Sequence, residues 1–137
     1  MGKDANVKQL WQIGQIALTV QNLERATQFY RDNLEVPFLF QTGNLSFFDC
    51  NGLRLMLALP EEQAEAVQER QGNSIIYFKV DDLRQSYQRL LEKGVKFEDA
   101  PHLIARLETT EVWMAFFRDS ESNLLGLMSE IALDQTK

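Results

Sequence analysis

The chain has 137 residues, 45% hydrophobic and 25% charged, the composition of an ordinary globular protein with enough length for one domain and a buried core. Twenty acidic against fourteen basic residues give a net charge of −6, which argues against a broad phosphate-backbone interface and disfavours nucleic acid as a partner. A single cysteine, Cys50, excludes an intramolecular disulfide and a cysteine-cluster zinc site, and no apolar run approaches the roughly 18–20 residues of a membrane span or follows Met1-Gly2-Lys3-Asp4 as in a signal peptide. The expectation is a cytoplasmic, reduced protein with no membrane partner.

Residues up to about Lys8 are expected to form a frayed arm. Ile13 to Val20 alternates as a strand does, with Ile16, Leu18 and Val20 on one face and Gln15, Ala17 and Thr19 on the other. Asn22 suits an N-cap, and Leu23, Ala26, Phe29, Tyr30 and Leu34 follow at helical spacing until Pro37. Phe38-Leu39-Phe40 begins a second strand, Gly43-Asn44 turns, and Leu45 to Asp49 is a third. Asn51-Gly52 marks a hairpin, because the favoured turn needs positive φ at both central residues. Leu53 to Leu59 is the fourth strand. Pro60 to Arg70 reads as a short connector helix with acids at its start and Arg70 near its end.

The plan then repeats. Ser74 to Val80 is a strand, and Asp82 caps a helix whose stripe is Leu83, Tyr87, Leu90 and Leu91. Lys93-Gly94 ends it. Val95-Lys96-Phe97 is a strand broken by Asp99-Ala100-Pro101, and His102 to Arg106 is extended. Residues 108–110 turn, Val112 to Phe117 is a strand, residues 119–122 turn, and Leu124 to Met128 is the last strand. The tail after Glu130 is expected to be mobile. The fold class is therefore α+β, with one domain over 1–137: a β-α-β-β-β module over about 12–59, a connector over 60–72, and a second module over about 73–130. Strands this apolar on both faces need cover on both, and two curved sheets can share their concave sides around a cleft suited to a ligand.

Four segments carry a resemblance. Gln15-Ile16-Ala17-Leu18-Thr19-Val20 with its capped helix echoes Ile75-Ile76-Tyr77-Phe78-Lys79-Val80 with its own. Phe29-Tyr30-Arg31-Asp32-Asn33-Leu34 is similar to a motif "FYrdvLG", and Phe117-Arg118-Asp119-Ser120-Glu121-Ser122-Asn123 to "f-DPdGN". Together they resemble the glyoxalase/bleomycin-resistance/dioxygenase (vicinal oxygen chelate) superfamily over about residues 12–130. The resemblance implies a cup-like half-barrel, commonly in a homodimer, and for the family's enzymes one divalent metal held by first- and fourth-strand residues. Those places are expected to hold Gln15, Arg54, Ile75 and Gly126. Ile75 and Gly126 offer no side-chain donor and Arg54 brings a like charge, so no metal and no other cofactor is expected there.

Arg54 alternates with Leu53 and Leu55 and so faces away from them. A guanidinium in a cleft suits a carboxylate or phosphate, although a protein acid or solvent would satisfy it equally. Gln15 shares a face with small Ala17 and Thr19, as if room were left above the strand. Tyr77 offers its hydroxyl to the same cleft or belongs to the core with its OH at the rim. Trp113 and Phe117 share a strand face with Glu111 and Ala115. Gln15, Arg54, Tyr77, Trp113 and Phe117 are the expected lining of a site for a small anionic or aromatic molecule. A divalent metal held by Gln15, His102 and Glu111, with His102 and Glu111 as the catalytic candidates of a lyase, isomerase or dioxygenase-like enzyme, is the alternative. A protein-interaction module whose cup is filled by its own side chains is a third. His102, the single histidine, is otherwise an idle loop residue, and Asp119 a turn residue.

Overall fold

A computed structural model describes residue 10, residues 12–60 and residues 74–133 of the chain. The expected N-terminal arm and the expected connector helix from Glu61 onward lie outside these residues. The architecture is α+β. Strands β1 (Gln15–Thr19), β2 (Phe38–Thr42), β3 (Leu45–Cys50) and β4 (Leu53–Ala58) form one sheet in the order β1-β4-β3-β2, with β1 parallel to β4. Strands β5 (Ile76–Lys79), β6 (Lys96–Phe97), β7 (His102–Arg106), β8 (Thr110–Arg118) and β9 (Leu124–Ala132) form the other, in the order β5-β9-β8 with β6 and β7 both on the far side of β8. Each parallel pair is closed by a helix crossing over one face, α1 (Leu23–Gln28) in the first module and α2 (Leu83–Glu92) in the second.

The two helices begin as their sequences dictate. The Asn22 side chain accepts the Arg25 N–H at 2.9 Å, and Asp82 accepts the Gln85 N–H at 3.1 Å. Each satisfies a donor that the first turn leaves without an intrahelical partner. α1 then widens into a π-helical turn over Phe29–Asn33, in which the Leu34 N–H bonds the Phe29 carbonyl at 3.0 Å and the Val36 N–H bonds that of Tyr30 at 2.9 Å. Pro37 has no N–H to continue the helix, and a residue before proline disfavours helical backbone. Between them Glu35 takes up φ +62°, a left-handed backbone unusual for a residue with a Cβ.

The helix-bearing faces of the two sheets share one core. Val20, Leu23, Ala26, Tyr30, Phe48, Leu55 and Leu57 from the first module meet Leu83, Leu90, Val95, Ala115, Phe117, Leu125 and Leu127 from the second. A buried hydroxyl pair, Thr27 Oγ1 to Ser46 Oγ at 2.7 Å, pins α1 to β3.

Three details depart from the sequence expectation. Leu91 is exposed, so the stripe of α2 is Leu83, Tyr87 and Leu90. Thr110, expected in a turn, begins β8, and β9 runs beyond Met128 and Glu130 to Ala132. Their pairing continues in register as far as Thr110 and Ala132, which gives the supposed tail a partner. As expected, the counterpart of β2 is split into β6 and β7 around Pro101, which has no N–H for a ladder, while the Asp99 carboxylate takes the Phe116 N–H at 2.9 Å.

Candidate functional site

Strand alternation sorts the candidate residues by face. On the first sheet Gln15, Ala17 and Thr19 lie opposite the helix side and are exposed, as is Arg54, the cross-strand partner of Gln15. Phe40 and Phe47 stack on the same face with ring centroids 4.7 Å apart, and the Arg54 guanidinium carbon sits 5.8 Å from the Phe47 centroid. That is within cation–π range. The Gln15 amide nitrogen approaches Met56 Sδ at 3.9 Å. Asp49 is the β3 partner of Arg54, but its carboxylate takes the Gly52 N–H at 3.0 Å and so serves the turn. Among the described residues Arg54 has no carboxylate partner.

The helix-free face of the second sheet carries Tyr77, Phe116, Met114 and His102. Tyr77 is 40% exposed, and its ring rests over Gly126, where a Cβ would lie 2.9 Å from Tyr77 Cδ2. Phe116 meets Tyr77 edge to face at 5.9 Å. His102 pairs with Met114 across β7 and β8 and is half-buried. Its Nδ1 lies 2.9 Å from the Ala100 carbonyl. A carbonyl only accepts, so that nitrogen carries a proton in this contact.

Trp113 and Phe117 lie on the other side. Phe117 is fully buried in the helix-side core against Phe97, and Trp113 packs at the edge of that core with its indole N–H donating to Glu111 Oε1 at 3.1 Å. The expected five-residue lining is therefore divided: Gln15, Arg54 and Tyr77 share the helix-free side, and Trp113 and Phe117 do not join them. The alternative trio does not converge either. Glu111 is three residues from Met114 on a regular strand and so faces away from His102, and it is held by Arg106 at 2.7 Å as well as by Trp113. Those two partners keep its carboxyl below the usual carboxylate range, Trp113 contributing most. Burial first, and then the Asp49 charge, push the Cys50 thiol up, away from the thiolate a nucleophile needs.

Pairing registers show that two of the carried-over metal positions, Arg54 and Gly126, are not equivalent places in the two modules. Phe47-Phe48 pair with Met56 and Leu55, and Phe116-Phe117 pair with Gly126 and Leu125. Met56 is thus the counterpart of Gly126, and Arg54 that of Leu124. Two consistent sets follow, Gln15 and Arg54 with Ile75 and Leu124, or Gln15 and Met56 with Ile75 and Gly126, and neither offers more than one weak oxygen donor. A divalent ion does not fit either set. Among the described residues no three His, Cys, Asp or Glu side chains converge as a metal site requires.

Sequence reasoning missed a second feature. On the helix side, where the modules meet, a cavity of about 260 Å³ opens between the chain after the π-turn and β5 with α2, and Phe117 forms part of its wall. A smaller space of about 190 Å³ lies between Ile16 of β1 and Ile76, Tyr77 and Phe78 of β5, beside Cys50.

Comparison with known proteins agrees with this geometry. The family profile described as Glyoxalase/Bleomycin resistance protein/Dioxygenase superfamily matches residues 12–127. A Bacillus subtilis (strain 168) protein described as "Uncharacterized protein YraH" is 32% identical over 126 residues, covering 82% of this chain and 94% of its own. The crystal structure of lactoylglutathione lyase from Agrobacterium tumefaciens superposes with a TM-score of 0.68 at 22% identity, over 87% of this chain and 93% of that one. An integron cassette protein from V. cholerae superposes with a TM-score of 0.71 at 18% identity, over 90% and 98%. At these identities the structural likenesses establish the fold alone. The sequence match over nearly the whole chain establishes more: this protein belongs to the glyoxalase/bleomycin resistance protein/dioxygenase superfamily.

Proposed function

We propose that this chain is a metal-independent binder of a small organic anion, one with an aromatic or other flat body, on its helix-free face. The observation that carries the reading is Arg54. Its guanidinium stands on an open face without a carboxylate partner among the described residues, and it lies over the Phe47 ring. A planar fork of N–H donors beside a stacked aromatic pair suits a carboxylate or phosphate attached to a ring. Gln15 across the ladder adds an amide, and exposed Ala17 leaves space above β1. Tyr77 supplies a ring on the second sheet. Trp113 and Phe117 have no part in this site.

The reading includes a cytoplasmic homodimer. β2 is an edge strand whose Phe38, Leu39 and Phe40 are all exposed, and such an apolar edge needs cover in a soluble protein. A second copy is the simplest cover. Among the described residues no helix is long and apolar enough to cross a membrane.

The test is a thermal-shift series, because a ligand bound only by the folded state raises its melting temperature. Benzoate and phenyl phosphate should raise Tm where benzamide does not, in the presence of chelator, and Arg54→Gln should remove the effect. A stoichiometric divalent ion whose removal lowers Tm, or anions that act equally on Arg54→Gln, would sink the proposal. Sedimentation of the wild type against Phe40→Glu tests the dimer.

A further inference from the structure

The helix-side cavity lies away from the face just described, and nothing in that reading uses it. Its inner wall is mainly apolar, with Leu34 and Val36 from the first module and Phe78, Leu90, Phe117 and Leu127 from the second, while Lys79, paired with Glu130 at 3.6 Å, also lines it. Protein interiors are close-packed, so a space of this size, open to solvent on one side, leaves its apolar inner wall without packing partners. A dry apolar cavity of about 150 Å³ accepts benzene. At about 260 Å³ this one takes a body of roughly ten non-hydrogen atoms on the same scale.

The opening is polar and built by an unusual backbone. The π-helical turn and the left-handed Glu35 present Asn33 and the Glu35 carboxylate at the rim, facing Ser86 and Arg89 of α2. π-turns cluster at functional sites. Glu35 pairs with both Arg89 and Lys93, the latter at 3.0 Å, so one carboxylate serves two cations. The neighbouring Asp32 carboxylate is held by Arg31 at 2.9 Å. One positive charge is therefore in excess at the rim. Arg89 contacts Glu35 through a single guanidinium nitrogen, Nη2. It can turn its other donors to a ligand while Lys93 keeps Glu35 paired.

We propose that this cavity is a second binding site, for a small anionic amphiphile: a hydrocarbon body of medium-chain length seated between the modules, with a single carboxylate bound by Arg89. Such a ligand bridges the first module to α2, so its binding stiffens the junction between them.

Calorimetric titration of the full chain with octanoate, octanol and octylamine tests this. Octanoate should saturate at one equivalent per chain and bind roughly tenfold tighter than octanol, with octylamine weakest. Arg89→Gln changes an exposed side chain and should bring octanoate down to the level of octanol. Val36→Phe should fill the cavity and abolish binding of both; should that variant fail to fold, Leu34→Phe replaces it. Arg54→Gln should bind octanoate as the wild type does, which separates this site from the helix-free face. Absence of saturable octanoate binding, unchanged affinity in Arg89→Gln, or loss of octanoate binding in Arg54→Gln would each overturn the proposal.

Discussion

The Tyr30 hydroxyl donates to the Asp119 carboxylate at 2.6 Å, and neither residue reaches solvent to more than a few per cent. The bond joins the helical segment of the first module to the β8–β9 turn of the second. Asp119 is otherwise saturated, its oxygens accepting the Glu121 and Asn123 N–H groups at 2.8 Å each and the Asn123 amide at 2.9 Å. Tyr30→Phe should therefore cost about 1.5–3 kcal/mol, the range for a hydrogen bond to a charged group. Asp119→Ala should cost more, since it strands several buried donors. Urea denaturation of the single and double variants measures the coupling, which should be well above zero.

The same phenol sets an alkaline limit. Burial, and after it the charge and hydrogen bond of Asp119, raise the Tyr30 pKa well above its ordinary value. A group raised in the folded state contributes stability that is complete below its unfolded pKa, about 10, and is lost as pH climbs toward the folded value. Stability measured by denaturation should fall above about pH 10, and Tyr30→Phe should flatten that arm.

Glu121 governs the acid side. Its side chain is 1% exposed, and burial alone would raise its pKa. Hydrogen bonds from Arg25, the Gln21 and Asn22 N–H groups and the Ser120 hydroxyl outweigh burial and hold the pKa at about 2. A depressed carboxyl contributes stability above its unfolded pKa, near 4.3, that disappears as pH falls toward the folded value. The loss should run from about pH 4.5 down to 2, and Glu121→Gln should reduce its slope while lowering stability near neutrality.

Glu35 tests backbone strain. Glu35→Gly removes a left-handed L-residue, a strain of about 1–2 kcal/mol, along with two solvent-exposed ion pairs that contribute little. The glycine variant should be as stable as the wild type or slightly more so. Glu35→Ala keeps the strain and loses the pairs, so it should be the less stable of the two by about 1 kcal/mol. Equal stabilities would mean that the backbone relaxes.

Gly126→Ala would press a methyl group against the Tyr77 ring, 2.9 Å from Cδ2 and 3.2 Å from Cε2. Because Tyr77 is partly exposed, the ring can swing outward, and the cost should stay near 1 kcal/mol, the low end for overpacking. The Tyr77 ring resonances should move by NMR, and ligand binding that uses this ring should weaken.

The local code was legible because it is local. Asn22 and Asp82 cap their helices, Asn51-Gly52 turns the hairpin, and alternation put Gln15, Ala17 and Thr19 on one face and Glu111, Trp113, Ala115 and Phe117 on another, all visible from residue types and spacing. The repeat announced the paired modules for the same reason. Alternation states that two residues share a face without saying which face meets the helices. That choice depends on packing between distant segments, and it placed Trp113 and Phe117 on the core side and set Glu111 against His102. Register is likewise a pairing property, so only the ladder showed that Leu124, two positions before Gly126, answers to Arg54. The seam bonds of Tyr30 with Asp119 and Arg25 with Glu121 span 89 and 96 residues, and the cavity beside Glu35 exists only where two modules meet. Short-range chemistry wrote the elements; long-range packing decided which of their faces are left open for a ligand.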